Sequence, residues 1–528
     1  MRLAAMSRPP RSASCLGRFA LLLGLLSAGP GEAQERRLGT LGFPNSGAPG
    51  AQNDFIQGVL LLHSFEYADA AAAFRRAQEI DPDFALAYWG EAMTYNHPIW
   101  GEYDGDAARA VLTRYHGTPA TEREALYWAA MDPLYRDEIS DKTERDQAYM
   151  VAMRRLHEAY PDDDEASAFY ALSILGLTNG VRDFRNYMRA AAVAQPVFER
   201  NPGHPGAAHY IIHAFDDPIH APLGLPAARA YGASTPDAGH AQHMTSHIFV
   251  AMGMWDDVVQ ANVNAVRVMD RGRAERGMAD LNRCGHYASW QQYGHLMREE
   301  WDAAAAIMDM CQKNQASPDG DDRAYYMRMR ARQVLDTGEW DGVVRWSFDV
   351  SDVPSAVPGY DFVDAYAALR QGDPAPAREA VARWQEALKA PAETEAWWYD
   401  PDRLRIQVMD LEGLLAMRDG RSDQAVRLLQ EAAELEESLP MEFGPPASLQ
   451  PPHELLGTLL LELDRPGEAV EAFQGSLALA PRRTPSLRGL LSAARAAGDE
   501  TLAVETEKEI QEILMDVDQP SSLQRLLR

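Results

Sequence analysis

Apolar residues recur at helical spacing in segments of about 10 to 20 residues along most of the chain, and short runs of Gly, Asp or Pro separate the segments. Prolines follow several of them, at Asp81-Pro82, Tyr160-Pro161, Asn201-Pro202, Thr235-Pro236 and Ala480-Pro481. Proline has no amide proton to continue a helix, so these positions read as helix ends. The pattern predicts helix pairs over 53–79, 85–115, 122–159, 165–200, 205–234, 239–271, 281–314 and 322–348. Four more follow over 360–389, 395–437, 453–480 and 485–515. The second pair is interrupted by His97-Pro98 and by 101–105. Between the pairs, 349–359 contains Pro354 and Pro358 and reads as a linker between two helical arrays, 52–348 and 360–516. Residues 34–51 read as a flexible leader, 439–452 with its five prolines as a second break, and 517–528 as a tail.

Two stretches share one spacing. Gly58, Ala70, Phe74 and Pro82 are separated by steps of 12, 4 and 8, and so are Gly457, Ala469, Phe473 and Pro481. Leu456 precedes the second glycine, where Gln57 stands before the first. This spacing resembles the tetratricopeptide repeat, a helix–turn–helix unit of 34 residues. The resemblance implies an all-α fold, a right-handed superhelix or solenoid of antiparallel helix pairs, each unit burying its small and aromatic residues against its neighbours. It also implies that the first helix of each unit lines a concave face, with positions 2, 5, 9, 12 and 13 pointing into it. A protein or peptide partner in that concave groove is the expectation that comes with the repeat type.

Composition adds a location. Arg2, Arg8, Arg11 and Arg18 precede an apolar run from Phe19 to Leu26, and Gly31-Glu32-Ala33 ends the segment in the manner of a secretory signal over residues 1–33. The run is too short to span a bilayer, which takes roughly 20 apolar residues, and no later run approaches that length. An exported protein, periplasmic or secreted, without membrane insertion is expected. Removing those four arginines and Glu32 leaves 46 basic and 77 acidic residues, so the formal charge of −28 becomes −31. Such a surface repels nucleic acid. Cys284 and Cys311 remain after export and are placed on the antiparallel helices of one hairpin, either bridged or as two small core residues.

The candidate chemistry is histidine. Seven of the fourteen histidines, His204, His209, His213, His220, His240, His243 and His247, fall within 44 residues. Two His-x-x-x-His pairs, His209/His213 and His243/His247, place both rings on one helix face. They are offset by 34 residues, one repeat. With Pro205 and Gly239 as position 1 of successive units, the pairs occupy positions 5 and 9, His240 takes position 2, and Asp216 and Asp217 take 12 and 13. Aligning Trp301 with Trp255 gives His286 position 2 of the next unit. Neutral imidazoles one helical turn apart can share an ion at about 2 Å, and packed helices lie about 8 to 10 Å apart. A single divalent transition-metal site, zinc, copper or iron, built from His209, His213, His243 and His247 is therefore expected. His240, His286, Asp216 and Asp217 are further candidates, the acids as ligands or as acceptors behind the rings.

The competing reading of the cluster is a buried histidine network that joins two repeats. His204 and His220 read as helix caps, and His97 as part of a turn. The segment from His204 to Tyr210 and that from His240 to His247 also resemble a set of exported bacterial tetratricopeptide proteins, with which no activity comes. The motifs of zinc proteases, serine hydrolases, phosphate loops and paired Cys-x-x-Cys sites are absent. Two functions follow: an exported repeat scaffold that binds a partner and carries the metal as part of its structure, or a metal-dependent enzyme, oxidative or hydrolytic, with an open ligand position. The scaffold is preferred and the enzyme is the alternative.

Overall fold

The computed structural model describes residues 36–515, apart from 137, 138, 140, 179–181, 279–283, 315–319, 352, 354, 355, 390–400 and 442. The expected signal segment and the tail lie outside the described residues, as does most of Pro354's surroundings. Among the described residues the chain is all-α. Its 24 helices follow one another as twelve pairs, from Gln52–His63 with Tyr67–Ile80 to Thr484–Ala497 with Glu500–Leu514. Each predicted pair is present. The exception to helix is a two-residue antiparallel ladder, Asn96–His97 against Glu102–Tyr103, which folds the His97-Pro98 turn back on itself.

The array is a stack of antiparallel helix pairs, as the resemblance to the tetratricopeptide repeat implies, and its repeat rules are visible in the packing. Phe74 is fully buried between Gly58 and Gly90, where a β-carbon would come within 2.7 Å and 2.3 Å of its ring. Phe473 sits in the same way between Gly457 and Gly489, at 2.8 Å and 2.2 Å. Helix ends also repeat. Counting Gly58 and Gly457 as position 8, position 15 is left-handed at Phe65, Gly253, Glu299 and Asp464, with φ of 55°, 63°, 56° and 56°. At each, the following amide reaches back to the carbonyl of position 11: Glu66 to Leu61, Met254 to Phe249, Glu300 to His295, Arg465 to Leu460, at 2.8–3.0 Å. These six-to-one bonds satisfy carbonyls that a helix end leaves open.

Two expectations about the connections are corrected. Residues 37–51 are not a loose leader. Phe43 is buried against Phe55, Trp89 and Tyr127, with ring centroids 5.1–5.9 Å apart, and the Thr40 amide donates to Gly203 O at 2.8 Å. The stretch lacks helical periodicity, yet it carries enough apolar side chain to be held by the helices it crosses. Nor does 349–359 divide the chain, since the described residues from 37 onward form one compact unit. The apolar core instead changes near the 285 unit. One cluster runs from Leu38 to Ala304 and takes in Leu487, Ile510 and Ile513 of the last two helices, and a second runs from Cys284 to Ala493.

The last repeats return to the middle ones. Trp255 Nε1 donates to Arg482 O at 3.0 Å, Thr484 bonds Met297 O, and Arg483 spans Glu454 and Asp336. Cys284 and Cys311 are joined in a disulfide, with α-carbons 4.9 Å apart. Cys311 lies in the helix Trp301–Asn314, but Cys284 precedes the helix His286–Met297 by two residues instead of lying within it.

Candidate metal centre

Three first helices, Pro205–Phe215, Gly239–Ala251 and His286–Met297, carry the candidate ligands. The first begins with Pro205, whose fixed φ suits the opening turn, under a cap from His204, whose ring accepts from Ala207 N at 3.1 Å. The third is launched by Gly285 at φ 115° and ψ −157°, a conformation open essentially to glycine alone. That bend, tied by the neighbouring disulfide, sets where His286 enters.

The structure brings these histidines together as two groups of three. His209, His213 and His240 form one, and His243, His247 and His286 the other, with the ligand atoms of each within 4.8 Å of one another. One rule generates both: positions 5 and 9 of a unit, closed by position 2 of the next. The expected set of His209, His213, His243 and His247 is thus divided, each intrahelical pair taking its third ring from the following unit. The groups adjoin, with ring centroids 6.2 Å apart for His213 and His247 and 6.3 Å for His240 and His243.

Hydrogen bonds fix which nitrogen is free. His209 Nδ1 donates to His63 O at 2.7 Å, and His247 Nδ1 to Asp216 Oδ2 at 2.5 Å. His243 Nδ1 donates to Asn262 Oδ1 at 2.7 Å, an oxygen identified because Asn262 Nδ2 donates to Val258 O. In a neutral ring so tied, Nε2 carries only a lone pair. Yet His243 Nε2 and His247 Nε2 are 3.2 Å apart, His209 Nε2 and His213 Nε2 3.1 Å, and His286 Nε2 and His243 Nε2 2.9 Å. Two nitrogens at about 2.0–2.1 Å from one tetrahedral ion are about 3.3 Å apart. His240 Nε2 and His286 Nδ1 are buried and have no hydrogen-bond partner among the described residues.

Burial keeps five of these rings neutral, His209, His213, His240, His243 and His286. It drives His209 and His286 to about 3 and holds His213, His240 and His243 well below the ordinary histidine value, with neighbouring histidines adding to the effect.

A third cluster, which the sequence did not flag, has a different character. His63 Nε2 and His204 Nε2 both donate to Glu165, at 2.7 and 3.0 Å, while Tyr210 OH donates to His63 Nδ1 at 2.8 Å. Every nitrogen is used. The two imidazoles, opposing the effect of burial, hold the Glu165 carboxyl down at about 2. This is a saturated network, and its work is to hold His63, whose carbonyl orients His209. His204 is a cap as expected, but a fully buried one. His220 bonds Asp217 at 2.9 Å, and Asp217 also pairs with Arg182, so Asp217 faces away from both triads while Asp216 backs His247. His97 spends both nitrogens on Glu102 and Thr94 O.

The surroundings are aromatic. Phe65 lies 4.4 Å from His209, 6.1 Å from His213 and 5.5 Å from His240. Trp100 edges onto His240, and Trp290 onto His247 and His243. Phe65 occupies the left-handed position that the 239 unit fills with glycine, at a cost of about 1–2 kcal/mol for a side chain there. The groove positions of these units, expected to line an open concave face, are consequently closed: His209 and His243 are 0% exposed and Asp216 and Asp217 1%.

No known family profile matches the chain, and no curated protein matches it in sequence. Among solved structures it is similar to yeast Tom70, at 13% identity over 88% of this chain and 99% of that one, with a TM-score of 0.33. It is also similar to the Cut9–Hcn1 complex of the APC/C, at 11% identity over 86% and 78%, with a TM-score of 0.30. A third likeness is human IFIT1 bound to m7Gppp-AAAA, at 11% over 90% and 91%, with a TM-score of 0.31. The ligands and partners of those proteins remain theirs.

Proposed function

We propose that this chain is an exported repeat protein whose function resides in transition-metal ions held by two histidine triads, His209/His213/His240 and His243/His247/His286. One observation carries the reading. His243 and His247 both commit Nδ1 as a donor, and their lone-pair nitrogens then face each other at 3.2 Å in a buried site. Two facing lone pairs repel unless a cation lies between them, and burial opposes protonation of His243. Three imidazoles per ion leave a coordination position open, the arrangement of reactive and ligand-binding sites more than of closed structural ones. The metalloenzyme alternative therefore gains over the passive scaffold. A protein or peptide partner would have to dock away from these histidines, which are covered. The disulfide supports export, since such bridges persist in oxidising compartments.

The test is metal analysis of the full chain purified without chelator. Two ions per chain are expected, falling to one in His209→Ala and one in His243→Ala, with circular dichroism unchanged. A wild-type chain that holds no metal and gains no melting temperature with zinc, copper or iron would overturn the reading.

A further inference from the structure

We infer that the two triads form one dinuclear copper centre that binds dioxygen between its metals, an inference that rests on the proposed metal sites. Three observations converge on it.

The first is pairing. Each triad sets two rings beside the other, His213 by His247 and His240 by His243, at 6.2 and 6.3 Å. Ions held by the two triads would therefore be neighbours. No carboxylate belongs to either triad. A small ligand is left to bridge the ions.

The second is charge. All six donors are imidazoles, a set that suits copper. The charged groups that face the pair are Asp216 behind His247, Glu66, whose carboxylate accepts from His240 N at 3.1 Å, Arg328 near His286, and Arg182, paired with Asp217, near His213. Two divalent ions would bring four positive charges into this chamber. Two cuprous ions bring two, which is less charge to bury, and cuprous copper accepts three-coordination.

The third is access. His209 and His243 are fully buried, His213, His240 and His247 nearly so, and His286 is partly exposed. Phe65, Trp290 and Tyr287, the last 4.6 Å from His243, cover the rings of the pair with aromatic side chains. Little room is left for a bulky substrate beside these rings, and dioxygen, small and apolar, suits such surroundings.

The step balances as follows. Each cuprous ion gives up one electron, and dioxygen takes both and becomes peroxide. The oxygen–oxygen π bond is lost, copper–oxygen bonds to the two resulting cupric ions form, and no proton or protein bond changes. Release of dioxygen reverses every change.

The experiment uses the full chain, stripped with a chelator, loaded anaerobically with cuprous copper and then exposed to dioxygen. The expected result is two coppers per chain and one dioxygen per copper pair. A strong near-ultraviolet band should appear that argon removes, with no paramagnetic resonance signal because the two cupric spins couple. His240→Ala and, independently, His286→Gln should each lose the band and give an uncoupled cupric signal while keeping the helical circular dichroism, and His157→Ala should change nothing. Two coppers with full resonance intensity, binding of zinc but not of copper, or absence of dioxygen uptake by a copper-loaded chain would overturn the dinuclear inference and leave the metal sites standing. Absence of any metal binding would instead remove the sites themselves.

Discussion

Asp216 Oδ2 accepts a hydrogen bond from His247 Nδ1 at 2.5 Å, across the gap between the helices that carry the two His-x-x-x-His pairs. Asp216 caps the end of its own helix and at the same time fixes the tautomer of a ring on the next. Such an acceptor raises ligand basicity and holds the ring's orientation, and losing one costs about 10- to 100-fold in metal affinity. Asp216→Asn is expected to weaken one of the two sites by that factor and leave the other unchanged. Competition titration with a coloured chelator reads the two sites separately. Equal weakening of both, or of neither, would mean that Asp216 does not act through His247.

A second prediction concerns the return of the last repeats. Gly253 has φ 63°, and a β-carbon there would come within 2.5 Å of Arg482 Cβ and 2.8 Å of Pro481 O. Gly253→Ala should therefore cost about 1–2 kcal/mol for the left-handed backbone, and more for displacing Arg482 from Trp255. A lowered melting temperature with faster proteolytic release of the segment after 480 is expected. A variant as stable and as resistant as the parent would show that this contact does not hold the ends together.

Much of this was legible in the residues. The amphipathic segments, several closed by proline, located the helical hairpins, and the 34-residue offset of His209/His213 and His243/His247 pointed to the two neighbouring units whose histidines cluster. The grouping was not legible. Equivalence of position suggested that like should meet like, but two rings one turn apart on a helix already converge on a single point, with nitrogens 3.1 and 3.2 Å apart. The third ring then comes from the neighbour's position 2, whose contact is set by how units stack. The Glu165 network escaped notice because His63, Glu165 and His204 share no local spacing. The fixed course of 37–51 escaped because its anchoring contacts are tertiary.

The disulfide gives a third prediction. Cys284 and Cys311 are 27 residues apart in sequence, and a loop of that length corresponds to about 3–4 kcal/mol on the chain-entropy account. The bond also pins the backbone two residues before His286. Cys284→Ser with Cys311→Ser should lower stability by that order and speed metal loss from the second triad alone. Chelator kinetics that stay the same at both triads would separate the bridge from the site.

The last prediction is a pH dependence far from the metals. Asp410 lies in the helix Pro401–Arg418, 1% exposed, and neither carboxylate oxygen has a hydrogen-bond partner among the described residues. Burial raises its carboxyl well above the usual range, and the nearby Glu436 adds to the rise. Glu436 is itself raised by burial. The folded state therefore holds the Asp410 proton more tightly than the unfolded state. Its contribution is fully present below the ordinary value of 3.8 and is lost as pH rises toward the folded value. Each pH unit in that window removes about 1.4 kcal/mol. Asp410→Asn keeps the shape and removes the ionisation, so it should raise the melting temperature at pH 8 and have little effect near pH 4. Thermal melts of both chains at the two pH values decide the matter. A gain that is the same at pH 4 and pH 8 would show that shape or hydrogen bonding, and not a buried charge, limits stability there.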